Sequence, residues 1–279
     1  MNVLRRRELP PRLRAIHDPP ARLHLRGGGS PDLLAAPSVA IVGARACSPY
    51  GAQVARMLGR ELAAAGVVVV SGLARGIDAE AHRGALDAGG HTVAVLGCGI
   101  DRDYPAAHAA LAATIAERSL LVSEYEPGVE PAPWRFPARN RIIAGLAAAT
   151  IVVEARERSG ALITADFALE DGREVFAVPG EITSALSAGT NDLLRLGATP
   201  LTSAADVLEL FDLAPAASPS AQLSAHAAQV LQRLRSASAS ADELARATSL
   251  DVGAVTAALV ELELAGAAVE GEGRYRASG

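Results

Sequence analysis

Six short, uniformly apolar runs recur between residues 38 and 178, at 39–42, 67–70, 92–96, 120–122, 151–153 and 175–178. Between or after them lie longer stretches with helical spacing, at 50–65, 77–88, 104–117, 138–148 and 160–171, and a last helix is predicted near 203–211. A strand that is apolar at every position has no solvent face, so its sheet must be covered on both sides. Helices inserted between such strands are the crossovers that parallel pairing requires, and those crossovers are right-handed. The pattern therefore predicts an α/β fold with a doubly wound, Rossmann-like parallel sheet over 38–213.

The flanks read differently. Residues 1–37 are rich in Pro, Gly and Arg, with Pro10–Pro11, Pro19–Pro20 and Gly27–Gly29, and are expected to form an irregular lead-in arm. Residues 214–222 lack periodicity and are expected to be a linker. Beyond them, helical patterns at 224–235, 241–247 and 251–264 precede two brief strand-like pieces at 267–270 and 274–277. Three helices and a hairpin in so short a span predict a small C-terminal winged-helix domain over 223–279.

Composition closes off several chemistries. All 26 basic residues are arginine, so a P-loop lysine, a Schiff base and a lysine nucleophile are excluded. Two cysteines, Cys47 and Cys98, make neither a disulfide framework nor a four-cysteine zinc site. No apolar run approaches the ~20 residues of a membrane span, and the arginine-bearing start lacks the apolar stretch of a signal peptide. A cytoplasmic protein without a membrane partner is expected. The net charge of −5 is unevenly spread: residues 1–37 hold seven Arg against three acids, whereas 38–219 hold 14 Arg against 21. A polyanion site must then be a local cluster of arginines on an acidic body.

In an open parallel sheet, ligands bind beyond the carboxyl ends of the strands. Here those ends carry Gly43-Ala44-Arg45, Ser71-Gly72-Leu73-Ala74-Arg75-Gly76, Gly97-Cys98-Gly99, Arg156 to Gly160, and Pro179-Gly180. Glycine lets backbone N–H groups approach a ligand, arginine adds charge, and helices starting at Ile77 and Ala161 aim their positive ends at the same crevice. Any one such loop is explained by turn conformation alone, but several meeting at one edge point to an anion, phosphate above all. The dinucleotide fingerprint fails, because Arg102 stands where Gly97-x-Gly99 needs its third glycine.

Residues 133–141, PWRFPARNR, interleave Trp134 and Phe136 with Arg135, Arg139 and Arg141. Single-stranded nucleic acid calls for this mixture: phosphates need fixed charge, and unstacked bases need flat faces, worth about 1–3 kcal/mol per base. Arg139 and Arg141 are expected to meet ligand, while Phe136 fits a ligand or a core position equally. Catalytic constellations are poor. Ser71 and Ser159 lack a nucleophile elbow, Asp78 and His82 share a helix face without a third metal ligand, and Glu124, Glu126 and Glu154 are expected to be solvated or paired with arginine. No catalytic residue, metal or cofactor is expected. The helix predicted over 251–264 has three acids and no cation, which disfavours DNA reading through it and favours packing or protein contact.

SVAIVGAR at 38–45, SGLARGIDAEAH at 71–82, Tyr104-Pro105, FPARNRIIAGL at 136–146 and VVEARERSGALITADFALEDGREVFAVPG at 152–180 together resemble the DNA-processing protein A (DprA/Smf) family. The likeness spans 38–212 in order and spacing, 5–37 resembles that family's lead-in, and 222–279 its winged helix. The resemblance implies a homodimeric, non-enzymatic protein that binds single-stranded DNA and loads the recombinase RecA onto DNA entering by natural transformation. Carried onto this chain, the DNA-binding positions are Gly43, Arg45, Ser71, Gly72, Arg75, Gly76, Phe136, Arg139, Asn140, Arg141, Ser159, Gly160 and Thr164. Two departures stand out: the family's helical N-terminal domain is missing, and arginine replaces its lysines, which preserves the charge. The enzymatic alternative is a LOG-like nucleotide phosphoribohydrolase, whose PGGxGTxxE motif would need a glutamate where this chain has Phe167. A third is a pure interaction adaptor.

Overall fold

Ahead of the first predicted strand the chain already forms two others. These are β1 (Asn2–Arg5) and β2 (Arg22–Arg26), antiparallel to each other, with the one-turn helix α1 (Pro11–Arg14) between them. The expected irregular arm over 1–37 is thus corrected to a structured edge of the sheet. Residues 22–26 read Arg-Leu-His-Leu-Arg, and the alternation turns Leu23 and Leu25 into the core together with Leu9, Leu13 and Ile16. The Pro and Gly clusters that obscure this fill the connections rather than the strands. Arg12 fastens the segment down, its Nη1 donating to the Leu146 carbonyl at 3.1 Å and to Ser38 Oγ at 3.2 Å.

The computed structural model describes residues 2–214, 223–264, 266–271 and 273–277. After β2 come β3 (Ser38–Val42), α2 (Pro49–Ala64), β4 (Val68–Ser71), α3 (Ile77–Asp87), β5 (Thr92–Val95), α4 (Ala109–Arg118) and β6 (Leu120–Ser123). Then follow α5 (Arg135–Leu146), β7 (Ala149–Val152), α6 (Gly160–Glu170), β8 (Glu174–Ala177), α7 (Ala188–Arg195), β9 (Thr199–Pro200) and α8 (Ala204–Leu208). The sheet has nine strands in the order β1-β2-β6-β5-β4-β3-β7-β8-β9. From β3 onward neighbouring strands pair in parallel, and β2 joins β6 antiparallel. Strand order runs outward from β3 in one direction and from β7 in the other. The crevice at a doubly wound sheet's carboxyl edge opens where the order reverses, so it opens between β3 and β7.

The strands are as apolar as the sequence suggested: every residue of β3, β4, β5, β6 and β7 is buried. With only nine aromatic residues, close packing comes from small side chains. In the α2–α3 pair, a Cβ on Gly59 would overlap the Ala81 carbonyl, and one on Gly84 would overlap that of Arg56. The two helices therefore approach backbone to backbone, which keeps the interior dense without large rings. α2 starts cleanly at Ser48, whose Oγ accepts from the Gly51 N–H at 3.0 Å, with Pro49 at the first helical position.

The chain divides at residue 216 into two compact units. The second is a winged helix made of α9 (Ala225–Leu234), α10 (Ala241–Thr248), α11 (Val252–Leu264), β10 (Ala268–Gly271) and β11 (Arg274–Ala277). Val230, Leu234, Leu244, Val255, Leu259 and Leu262 form its core. Ala239 bridges Tyr275 of β11, closing the wing. Of the expected linker at 214–222, all but residue 214 lies outside the described residues. Among the described residues no helix is long and apolar enough to cross a membrane.

Candidate nucleic-acid interface

A cavity of about 340 Å³ lies at the β3–β7 reversal. Its walls come from the loop after β3 (Gly43, Arg45), the start of α5 (Phe136, Arg139, Asn140), and the loop leading into α6 (Arg156, Ser159, Gly160), with Thr164 one turn further on. Eight of the expected binding residues thus line one opening. Arg45 and Arg156 are exposed, and among the described residues neither has a hydrogen-bond or ion-pair partner for its side chain. With no polar partner among those residues, each guanidinium is free to take up an anion.

Three further groups favour negative charge in this opening. α6 is 11 residues long, and its N-terminal Ser159 does not cap it with its side chain, so the first N–H groups of the helix are left for another acceptor. The Ser159 Oγ is buried without a partner, an arrangement that costs about 1–3 kcal/mol unless a ligand meets it. A Cβ built on Gly160 would meet nothing within 4 Å, so the space above this helix start is open. On the rim, the Phe136 ring stacks on Tyr104 with centroids 5.3 Å apart, and the Arg45 guanidinium carbon sits 5.6 Å from the Phe136 centroid. Arg135 lies between Trp134 and Tyr125, 5.0 and 5.1 Å from their ring centres. Trp134 is 64% exposed and Tyr104 44%. Flat rings and cations are therefore in contact, Phe136 with Arg45 at the cavity wall and Trp134 and Tyr125 with Arg135 outside it.

The floor is a buried polar network. Arg139, 4% exposed, donates from Nη1 to the carbonyls of Gly72 (2.8 Å) and Val95, tying the ends of β4 and β5 together. Its Nε donates to Asn140 Oδ1 at 3.1 Å, and Asn140 Nδ2 donates to the Gly160 carbonyl at 3.0 Å, fixing the start of α6. Burial pulls the Arg139 pKa down to about 10, with the nearby Asp78 carboxylate acting the other way. Asp78 accepts from the Gly72 and Ala74 N–H groups at 3.1 and 3.3 Å. Burial pushes its pKa up against the pull of Arg139. Gly72 sits where any Cβ would strike the Arg139 guanidinium. Arg139 is therefore a positioning residue with a positive field, not an extended arm.

Residues 1–212 match the model of DNA recombination-mediator protein A, and residues 214–274 match that of the DprA winged helix domain. The chain belongs to the DNA recombination-mediator protein A family. It is 44% identical to the putative DNA processing protein DprA of Mycobacterium tuberculosis, covering 95% of this chain and 70% of that one. The X-ray structure of DNA processing protein A from Streptococcus pneumoniae superposes with a TM-score of 0.71 at 45% identity, over 75% of this chain and 73% of the other. The Helicobacter pylori protein, solved to study its single-stranded DNA binding mode, superposes with a TM-score of 0.69 at 33% identity. That match covers 76% of this chain and 97% of the other.

Within this DprA framework, not every expected binding residue faces the cleft. Arg141 is corrected: its Nη1 and Nη2 grip Glu124 in a bidentate pair at 2.8 and 2.7 Å, and its Nε reaches Asp18 Oδ2 at 2.9 Å. On a helix, residues 139 and 141 point about 200° apart, so only one of the two faces inward. Ser71 is also corrected, since its Oγ is buried and donates to the Ile41 carbonyl at 2.6 Å inside the sheet. Gly76, at φ 72°, presses on the Ala44 and Arg45 backbone and shapes the loop. Arg75 is exposed, with no side-chain partner among the described residues, and stands outside the cavity wall. Arg156 and Tyr104 were not among the expected positions. Arg156 follows a strand end, the same signal that marked Arg45, and Tyr104 is paired with Phe136 only by the tertiary fold. Glu124 and Glu126 pair with Arg141 and Arg22 as expected, whereas Glu154 instead accepts from Ser48 N at 2.9 Å and from Ser48 Oγ.

Proposed function

We propose that this chain is a single-stranded DNA-binding recombination mediator whose strand lies in the cleft between Arg45, Phe136, Arg156 and the start of α6. The observation that carries this reading is the coexistence of two unpartnered arginines, a buried unpartnered Ser159 hydroxyl and an uncapped helix start around one opening. A phosphate satisfies all of these at once, and the Phe136–Tyr104 stack offers a base a flat surface. The binding mode studied for the Helicobacter pylori relative supports the same ligand. Gly43, Gly72, Gly76, Arg139, Asn140 and the buried Thr164 act by shaping the cleft, while Arg45, Arg75, Arg156, Phe136, Ser159 and Gly160 are the surface offered to DNA.

The protein acts in the cytoplasm as a homodimer, loads RecA onto DNA entering by natural transformation, and performs no covalent chemistry. Among the described residues the only carboxylate lining the cleft is Asp78, whose Oδ2 is held by two backbone N–H groups. The glutamate a LOG-like hydrolase needs is replaced by Phe167, which packs against the core. Exposed Ile182 and Leu196 are apolar surface available for self-association.

A gel-shift titration with single-stranded and duplex oligonucleotides of one sequence tests the DNA reading. A clear preference for the single strand is expected, and equal affinity overturns it. RecA filament growth on single strands, followed with and without this protein, tests loading. Base release from nucleoside monophosphates would establish the hydrolase instead.

A further inference from the structure

A second arginine cluster lies on the same rim of the sheet, at its far edge. β2 runs antiparallel to β6, with His24 opposite Ser123, so the Arg22 end of β2 sits beside the carboxyl end of β6. Arg5 is paired with Arg22 across β1 and β2. The turn that follows β1 adds Arg6 and Arg7. Together with Val3 and Ala21 these four arginines line a groove of about 730 Å³. Among the described residues the Arg5 and Arg6 guanidinium groups have no carboxylate within 4.0 Å, although Glu8 Oε2 accepts from the Arg5 backbone N–H at 2.8 Å; Arg7 approaches Glu8 only at 3.9 Å, and Arg22 is held by Glu126 at 2.5 Å. Four arginines against Glu8 and Glu126 leave the groove net positive on a chain whose net charge is −5.

What lies between this groove and the cleft decides what it would take. Five inter-strand steps separate β1 from β3, about 24 Å at ~4.8 Å per step. Over that interval the rim carries the Phe136–Tyr104 stack beyond β5 and the Trp134–Arg135–Tyr125 sandwich beyond β6. Trp134 is the most exposed of these rings. A cationic cleft, a ridge of exposed rings and a cationic groove thus follow one another along one edge. A folded acidic protein would need no aromatic ridge leading to a separate cleft, whereas a flexible chain of alternating phosphates and bases would use all three in turn.

We propose that the Arg5–Arg6–Arg7–Arg22 groove is a second phosphate-binding stretch for the same single strand, reached across Trp134. The proposal rests on the cleft being the primary DNA site. It is tested by strand length: oligothymidylates of about 4 and about 20 nucleotides bracket the ~4–16 nucleotide range of single-strand grooves. Fluorescence anisotropy over a range of salt then compares the two. The wild type binds the longer strand more tightly and with a steeper salt dependence.

Replacing Arg5, Arg6 and Arg7 together by alanine leaves the short strand unaffected. For the long strand the same variant makes the slope of log K against log salt shallower by about 2, three contacts at ~0.7 each. All three side chains are exposed, so the fold tolerates the change. Glu126→Gln releases Arg22 and tightens long-strand binding about 2- to 5-fold, up to one added contact's worth at ~0.1 M salt, an increase that misfolding does not produce. Loss at both lengths, loss at neither, or no gain from Glu126→Gln overturns the groove. If the wild type fails to bind the short strand, the cleft reading itself falls; if it binds the short strand but gains nothing with length, only the groove falls.

Discussion

The cleft at the β3–β7 reversal and the exposed face of α11 each offer a helix at a surface, and they differ in what is left unpaired there. The cleft presents Arg45, Arg156, an orphan hydroxyl and an uncapped helix start. α11 presents Val252, Thr256 and Val260 with no cation on its length, and its start is capped by Asp251, whose Oδ1 accepts from Ala254 N at 2.9 Å. Counterion release needs cations facing the polymer, so α11 itself lacks what DNA reading requires, and the exposed Arg274 and Arg276 of the unit lie on β11 instead. Architecture alone does not make a nucleic-acid site; free charge and unsatisfied donors do.

The same contrast separates the arginines of α5 and of the strand ends, and it sets the order of expected effects. Arg139→Ala strands two buried carbonyls, those of Gly72 and Val95, and removes the cation beside Asp78. A stability loss of about 3 kcal/mol is expected by urea denaturation, and a loss below ~1 kcal/mol contradicts the positioning role. Arg45→Ala with Arg156→Ala leaves stability intact. That double change weakens short single-strand binding about 25-fold at ~0.1 M salt, two contacts at ~0.7 in log–log slope. Unchanged affinity would move the ligand elsewhere.

Smaller effects are expected outside the cleft. Arg141→Ala removes the bidentate grip on Glu124 and costs about 1.5 kcal/mol of stability. DNA affinity stays within about 2-fold, well short of one phosphate contact, so a larger loss returns Arg141 to the interface. Asp251→Ala costs the winged unit about 1 kcal/mol through its lost cap. Any accompanying fall in single-strand affinity would show that α11 does touch DNA.

Where each element was legible follows from the physics behind it. The central strands are buried on both faces, so 39–42 or 120–122 need no tertiary information. β2 is half-buried, and its two-residue alternation was masked by flanking Pro and Gly. α7, eight residues beginning Ala-Gly-Thr, carries too little periodicity to stand out. At the site, glycine and arginine after strand ends marked loops that line the cavity at the β3–β7 reversal. Which guanidinium is free, however, depends on partners far along the chain: Asp18 and Glu124 for Arg141, Gly72 and Val95 for Arg139. Spacing within one motif does not reveal those partners. The Tyr104–Phe136 stack is likewise made by a loop and the start of α5, 32 residues apart.

The most direct measurement is the salt dependence of binding to a short single strand. The three exposed arginines offered to DNA, Arg45, Arg75 and Arg156, predict a slope of log K against log salt near −2.1, at ~0.7 per contact, with a duplex of the same sequence bound more weakly. A slope near zero, or a duplex held as tightly as the single strand, would contradict a cationic cleft for single-stranded DNA.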